Sequence, residues 1–212
     1  MAAINFDLEL KTPPTFWPLT LDEIKEQLKL PLGQTSDDNH LVALLKAATK
    51  SVEGKINKGL CEQVWVQTQD LSPKQFRLYK APVLSVVEID TISSWDDDTQ
   101  TPVDSGDYIL HKNKLTARSS WPSHREMKSF ITEFVVGWAE TPAVVNPENL
   151  AAARENIPED IRTAVAQMIG HLLENPEGQG ADLKYEIIAK RYGGLPPNVS
   201  ILLAPYVDWT FV

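Results

Sequence analysis

Cysteine occurs once in this 212-residue chain, at Cys61. An internal disulfide is excluded, as is any cysteine-rich metal site, and both absences suit a reducing compartment. Positive charge is scarce: 20 Lys plus Arg stand against 29 Asp plus Glu, a net charge of −9. A surface of that sign repels a phosphate backbone, so a DNA-gripping module is not expected. A protein that surrounds moving DNA without holding it is a different case, because repulsion there lowers friction. No run approaches the roughly 20 apolar residues of a membrane helix, and Met1 to Leu10 carries acids where a signal peptide carries bases. The chain is therefore expected to be cytosolic when made.

Catalytic signatures are missing too. His40, His111, His124 and His171 lie far apart and match no zinc-ligand spacing. No serine sits in a Gly-x-Ser-x-Gly elbow, no glycine-rich loop precedes Lys-Ser or Lys-Thr, and no Gly-x-Gly-x-x-Gly opens a helix. Hydrolase, NTPase and dinucleotide readings lose their main support, and no cofactor is expected.

What is present is an ordinary globular pattern with helices at both ends and strands between. Residues 1–18 read as a flexible arm, kept extended by Pro13, Pro14 and Pro18. Thr20 with Glu23 makes a capping box, and Leu21, Ile24 and Leu28 share a helical face that Pro31 and Gly33 end. Asp37 and Asp38 supply the next N-cap, after which Leu41, Leu44, Leu45, Ala48, Val52 and Ile56 recur at helical spacing up to Gly59, read as the C′ residue. Then the period changes to two. Val64 to Thr68, Phe76 to Tyr79, Val83 to Ile92, Tyr108 to Leu110, Leu115 to Ala117 and Phe130 to Trp138 read as strands, with 111–114 as a hairpin loop. Thr141 to Asn156 reads as a linker with at most one helical turn. Pro158 then starts a helix whose buried side is Ile161, Ala164, Val165, Met168, Ile169 and Leu172, stopped by Asn175 and Pro176. Leu183 to Arg191 fits helix or loop, and Pro196 with Pro197 introduces a last short helix through Leu203.

Three segments could carry function. In the acidic loop, Asp96, Asp98, Gln100, Asp104 and Asp107 fall at calcium-loop positions, but Thr101 stands where the turn needs Gly and Asp107 replaces the bidentate Glu. Together with Asp97 these acids fit a solvated hairpin tip or a subunit surface, and no metal site is expected. Arg118, His124, Arg125 and Lys128 surround Trp121, a basic and aromatic combination better suited in an acidic chain to a neighbouring subunit than to nucleic acid. The tail carries Tyr206, Val207, Trp209 and Phe211 after the last expected element. Late aromatics of this kind either fold back on their own core or dock on a partner, in the extreme as an added strand.

The order of these features resembles the head-tail connector family of tailed phages, the adaptor or head-completion proteins. The residues that carry the resemblance begin with Leu19-Thr20-Leu21-Asp22-Glu23-Ile24-Lys25 and Leu28, then Asp37-Asp38 and Leu41 through Ala47-Ala48 to Val52-Glu53. They continue with Cys61 to Thr68, Pro82-Val83, Ile157-Pro158 with Ile161-Arg162 and Ala164, and Pro197-Asn198-Val199 with Leu202-Leu203 and Pro205-Tyr206. The resemblance implies an α+β, mainly α fold: a small helical bundle with an inserted antiparallel β region and an extended C-terminal tail. Its domain plan would be an arm over 1–18, a single connector domain over 19–205 with helices at 19–30, 37–58, 157–175 and 197–204 and a β region at 62–138, and a tail over 206–212. It further implies a non-enzymatic virion protein at the head-tail interface. Such a protein assembles as a ring of about a dozen copies under the portal, meets a tail completion or terminator protein, and lets DNA through its lumen without sequence-specific binding. Tyr206, Val207, Trp209 and Phe211 would reach the portal or a neighbouring subunit, while Trp121, Arg125, Asp96, Asp97 and Asp98 would face a subunit or the tail. A generic cellular adaptor, a DNA-packaging accessory protein and, further off, a metal-dependent hydrolase remain the alternatives. The packaging factor needs a basic face, and the hydrolase needs a base, a nucleophile and a second ligand cluster.

Overall fold

A computed structural model describes residues 6–70, 74–92, 99–122, 130–174 and 195–207. The chain divides into two compact units: Met1–Pro14 with Glu62–Gly137, and Thr15–Cys61 with Trp138–Val212. The first is built of strands and the second of helices.

The helical unit holds α1 (Leu21–Gln27), α2 (Asp38–Ile56), α3 (Pro147–Glu155), α4 (Glu159–Glu174) and α5 (Pro197–Leu203). The capping box at Thr20 and Glu23 forms: the Glu23 N–H reaches Thr20 Oγ1 at 3.2 Å, and the Thr20 N–H reaches Glu23 Oε2 at 2.6 Å. On α2, Leu41, Leu45, Ala48, Val52 and Ile56 are buried, and on α4 Ile161, Ala164, Val165, Met168 and Ile169 are buried, as the 3.6-residue period demands. Leu195, Val199 and Leu203 complete this core. Helix α2 begins without a side-chain cap, because Asp37 instead accepts from Gln34 and Asp38 pairs with Lys25. It ends on Asn57 in the left-handed region (φ 55°), two residues before the expected Gly59. Asparagine tolerates that conformation through local hydrogen bonding. Helix α3 occupies most of the expected linker 141–156. Asn146 caps it by accepting from the Asn149 N–H at 2.8 Å, and Pro147 fits its first turn.

The strand unit holds β1 (Phe6–Thr12), β2 (Gln63–Gln69), β3 (Gln75–Arg77), β4 (Val83–Ile92), β5 (Gln100–Pro102), β6 (Tyr108–His111), β7 (Lys114–Ala117) and β8 (Phe130–Val136). Five strands form an antiparallel sheet in the order β1-β2-β8-β4-β5, and three form a second in the order β3-β7-β6. Phe6–Thr12, expected to be flexible arm, is thus a paired edge strand. Phe6, Leu8 and Leu10 alternate with Asp7, Glu9 and Lys11, a period-two signal strong enough to add a strand to β2. With eight strands and five helices among the described residues, the fold is α+β with balanced content, which corrects the expectation of a mainly α protein.

The apolar core of this unit is Phe76, Leu78, Ile89, Val103, Leu115, Phe130, Phe134 and Val136. Fully burying a side chain such as Phe130 or Phe134 contributes roughly 1.5–3 kcal/mol. Polar side chains close the seam next to this core. Gln67, wholly buried, donates to the Arg77 carbonyl at 3.0 Å and to Gln69 Oε1 at 2.8 Å, and accepts from the Tyr79 N–H at 2.9 Å. It ties β2 to β3 and the residues just after it, where no ladder joins them.

Candidate functional site

The tail begins in a short 3-10 turn, Ala204–Tyr206, that continues α5. Tyr206 is half-buried, its ring edge-on to Trp138 at 6.2 Å between centroids, and its hydroxyl lies 3.4 Å from the Asp160 carboxylate to which it donates. Burial, then the Asp160 charge and that hydrogen bond, hold the phenol above its usual pKa. Val207 packs against the same helical core. Tyr206 and Val207 therefore fold back on their own unit, while Trp209 and Phe211 lie outside the described residues.

Trp121 is also half-buried. Its ring sits 5.4 Å from Phe76 and 5.5 Å from Phe130, edge-on to the latter, so it caps an aromatic cluster of the strand unit. Arg118 is exposed; His124, Arg125 and Lys128 lie outside the described residues, as do Asp96, Asp97 and Asp98. The described part of the acidic segment does not wind as a cation loop. Gln100 is in β5, and the Asp107 N–H bonds the Asp104 carbonyl across a 3-10 turn at 2.9 Å. Among the described residues no group of three or more His, Cys, Asp or Glu could hold a metal ion.

Cys61 is buried beside Ala139, and burial, then the neighbouring Glu53 charge, push its thiol far up, against a smaller opposing pull from Arg154. A thiol so placed is packing, not a nucleophile.

Two arrangements were not read from the sequence. The first is a cleft of about 350 Å3 bordered by α1 and α4, where Glu23, Glu26, Glu159 and Arg162 face one another. Arg162 donates to Glu23 Oε1 at 2.5 Å and to Glu159 at 3.4 Å, while the other Glu23 oxygen serves the capping box. One carboxylate thus caps α1 and joins it to α4. The capping motif marks Glu23, but nothing local marks a partner 139 residues away.

The second is the outer face of the five-stranded sheet. Register places Glu9, Val66, Glu133 and Glu88 in one row across β1, β2, β8 and β4, and Asp7, Thr68, Ile131 and Asp90 in the next. Five carboxylates share this face, with Lys11 paired to Glu133. Burial, then Glu88 and Glu133, raise the Asp90 pKa. The individual acids are visible in the sequence, but only the pairing of distant strands gathers them.

No protein-family model matches the sequence, and no curated protein does. Solved structures do match. The fold is similar to that of a chain in the neck of an empty gene transfer agent (GTA) particle computed with C6 symmetry, with a TM-score of 0.70 and 19% identity over 95% of both chains. A chain in the virion of a native GTA particle gives 0.68 and 17%, again over 95% of both chains. A chain in the neck of a native GTA particle computed with C12 symmetry gives 0.67 and 18%, with the same coverage. At these identities the likeness is one of fold, and it spans both units.

Proposed function

We propose that this chain is a structural head-tail connector, a subunit of the ring that joins the portal of a phage-like particle to its tail. The observation that carries the reading is the fold likeness to chains of GTA particles, two of them described as neck, over 95% of each chain. It agrees with a sequence that resembles connectors and offers no catalytic constellation. In this reading the chain is not an enzyme, works as a ring of about twelve copies, and meets the portal on one side and a tail completion or terminator protein on the other. DNA passes through the lumen without sequence-specific contact, which the net charge of −9 favours through repulsion.

Tyr206 and Val207 anchor the tail on their own core, so the portal-binding role falls chiefly to Trp209 and Phe211. Trp121, Arg125, Asp96, Asp97 and Asp98 form the subunit or tail interface. Gold-labelled antibody against the chain, applied to purified particles of its source, is expected to mark the neck; label over the capsid shell or tail tip would contradict the assignment. Deleting Asp208 to Val212 should leave a folded protein that no longer joins heads, and heads that still acquire it would move the portal contact elsewhere.

A further inference from the structure

The two edges of the five-stranded sheet are not alike. Strand β5 offers three residues and ends in Pro102, which stands opposite Asp90 and has no N–H to give. Short length and proline are the usual guards of an edge. Strand β1 has seven residues and no proline, and among the described residues no strand pairs with its outer side.

We infer that the outer edge of β1 receives an extended strand from another protein, with apolar residues at every second position and Lys or Arg between them. Phe6 and Leu10 are 39% and 41% exposed and share a face with Leu8, which packs on the sheet core, while Phe6 stacks flat on Tyr79. A strand laid beside them extends that apolar layer and pairs with the outward-facing backbone of β1. Its alternate side chains would stand next to Glu9, at the head of the row that runs through Glu133 to Glu88. Lys11, the base on this face, is already committed to Glu133, so the charge the incoming strand meets is negative. A β1 strand from a second copy, paired antiparallel about Leu8 so that Phe6 meets Leu10, sets Asp7 against Glu9, which favours a different protein as the source. The inference stands on the sheet alone and holds whether or not the chain is a connector.

The test titrates the full-length protein with an end-capped peptide of alternating Val and Lys, and with its Val and Glu counterpart, while following amide hydrogen exchange. The lysine peptide is expected to slow exchange across Phe6–Thr12 and to bind about tenfold more tightly than the glutamate peptide. Glu9→Lys, at an exposed position, should narrow that preference at least about threefold without changing the exchange of the free protein elsewhere. Equal binding of the two peptides, protection at β5 instead of β1, or a doubling of mass with β1 protected in the absence of peptide would each overturn the inference.

Discussion

The helical unit and the strand unit bury their interiors by different means. In the helical unit the core is mostly aliphatic and regularly spaced, with Phe16 among it, and the one deeply buried charge among its described residues, Lys25, is satisfied close by: its ammonium lies 2.6 Å from Asp38, 2.7 Å from the Gln34 carbonyl and 3.4 Å from that of Leu32. In the strand unit, Gln63, Gln67, Gln69, Thr91 and Thr132 lie inside along with the phenylalanines. Helices satisfy their own backbone, so few polar side chains beyond Thr49 and Ser200 are needed inside the helical unit, whereas sheets that meet without a shared ladder leave backbone groups that side chains must satisfy.

That contrast can be broken or sharpened by substitution. The largest effect is expected from Phe134→Ala, a fully buried ring, at about 3–5 kcal/mol. Hydrogen exchange should show the loss first in β2, β4 and β8; equal loss in α2 and α4 would mean the two units unfold as one. Next, Gln67→Leu keeps the volume but strands the Tyr79 N–H and the Arg77 carbonyl, at a cost of roughly 1–3 kcal/mol by urea unfolding. A neutral outcome would show that polar closure is dispensable. In the helical unit, Glu23→Ala leaves the Thr20 cap but removes the reciprocal half of the capping box and the Arg162 tie, for about 1–2 kcal/mol. Glu23→Gln can keep the capping box and should cost less than about 1 kcal/mol, since the Arg162 pair is partly exposed.

The smallest effect is on pH dependence. Because the Asp90 carboxyl is raised in the folded protein, the folded state holds its proton at pH values where the unfolded chain has lost it. Stability from this group is therefore present at low pH and declines as pH rises through the window above the ordinary aspartate range. Asp90→Asn should flatten that decline and stabilise the strand unit at neutral pH by a few tenths to about 1 kcal/mol. Thermal melts of the two proteins at acidic and neutral pH read it directly, and parallel profiles would remove Asp90 from the account.

The helical unit was the more legible of the two in the sequence. Its apolar positions repeat at helical spacing and its capping box is a local motif, so α1, α2, α4 and α5 could be placed before any contact was known. Helix α3 escaped because the prolines at 142 and 147 and a short alanine run read as linker, although Pro147 is an ordinary first-turn residue. Val83–Ile92 and the hairpin from Tyr108 to Ala117 were legible as strands from β-branched runs and turn residues. Strand β1 was hidden by the three prolines that follow it. The acidic sheet face and the Arg162 tie depend on pairings between residues far apart in the chain, which no local pattern carries. Of the proposed contact residues, Tyr206, Val207 and Trp121 pack on their own units and stay half-exposed, and a large apolar side chain beside a core reads in sequence like one that seeks a partner.

The connector assignment is tested most directly by the mass of the protein in solution, measured by light scattering alone and with purified portal ring. A ring, or a monomer recruited to the portal in about a dozen copies, is the predicted result. A monomer indifferent to the portal would contradict it.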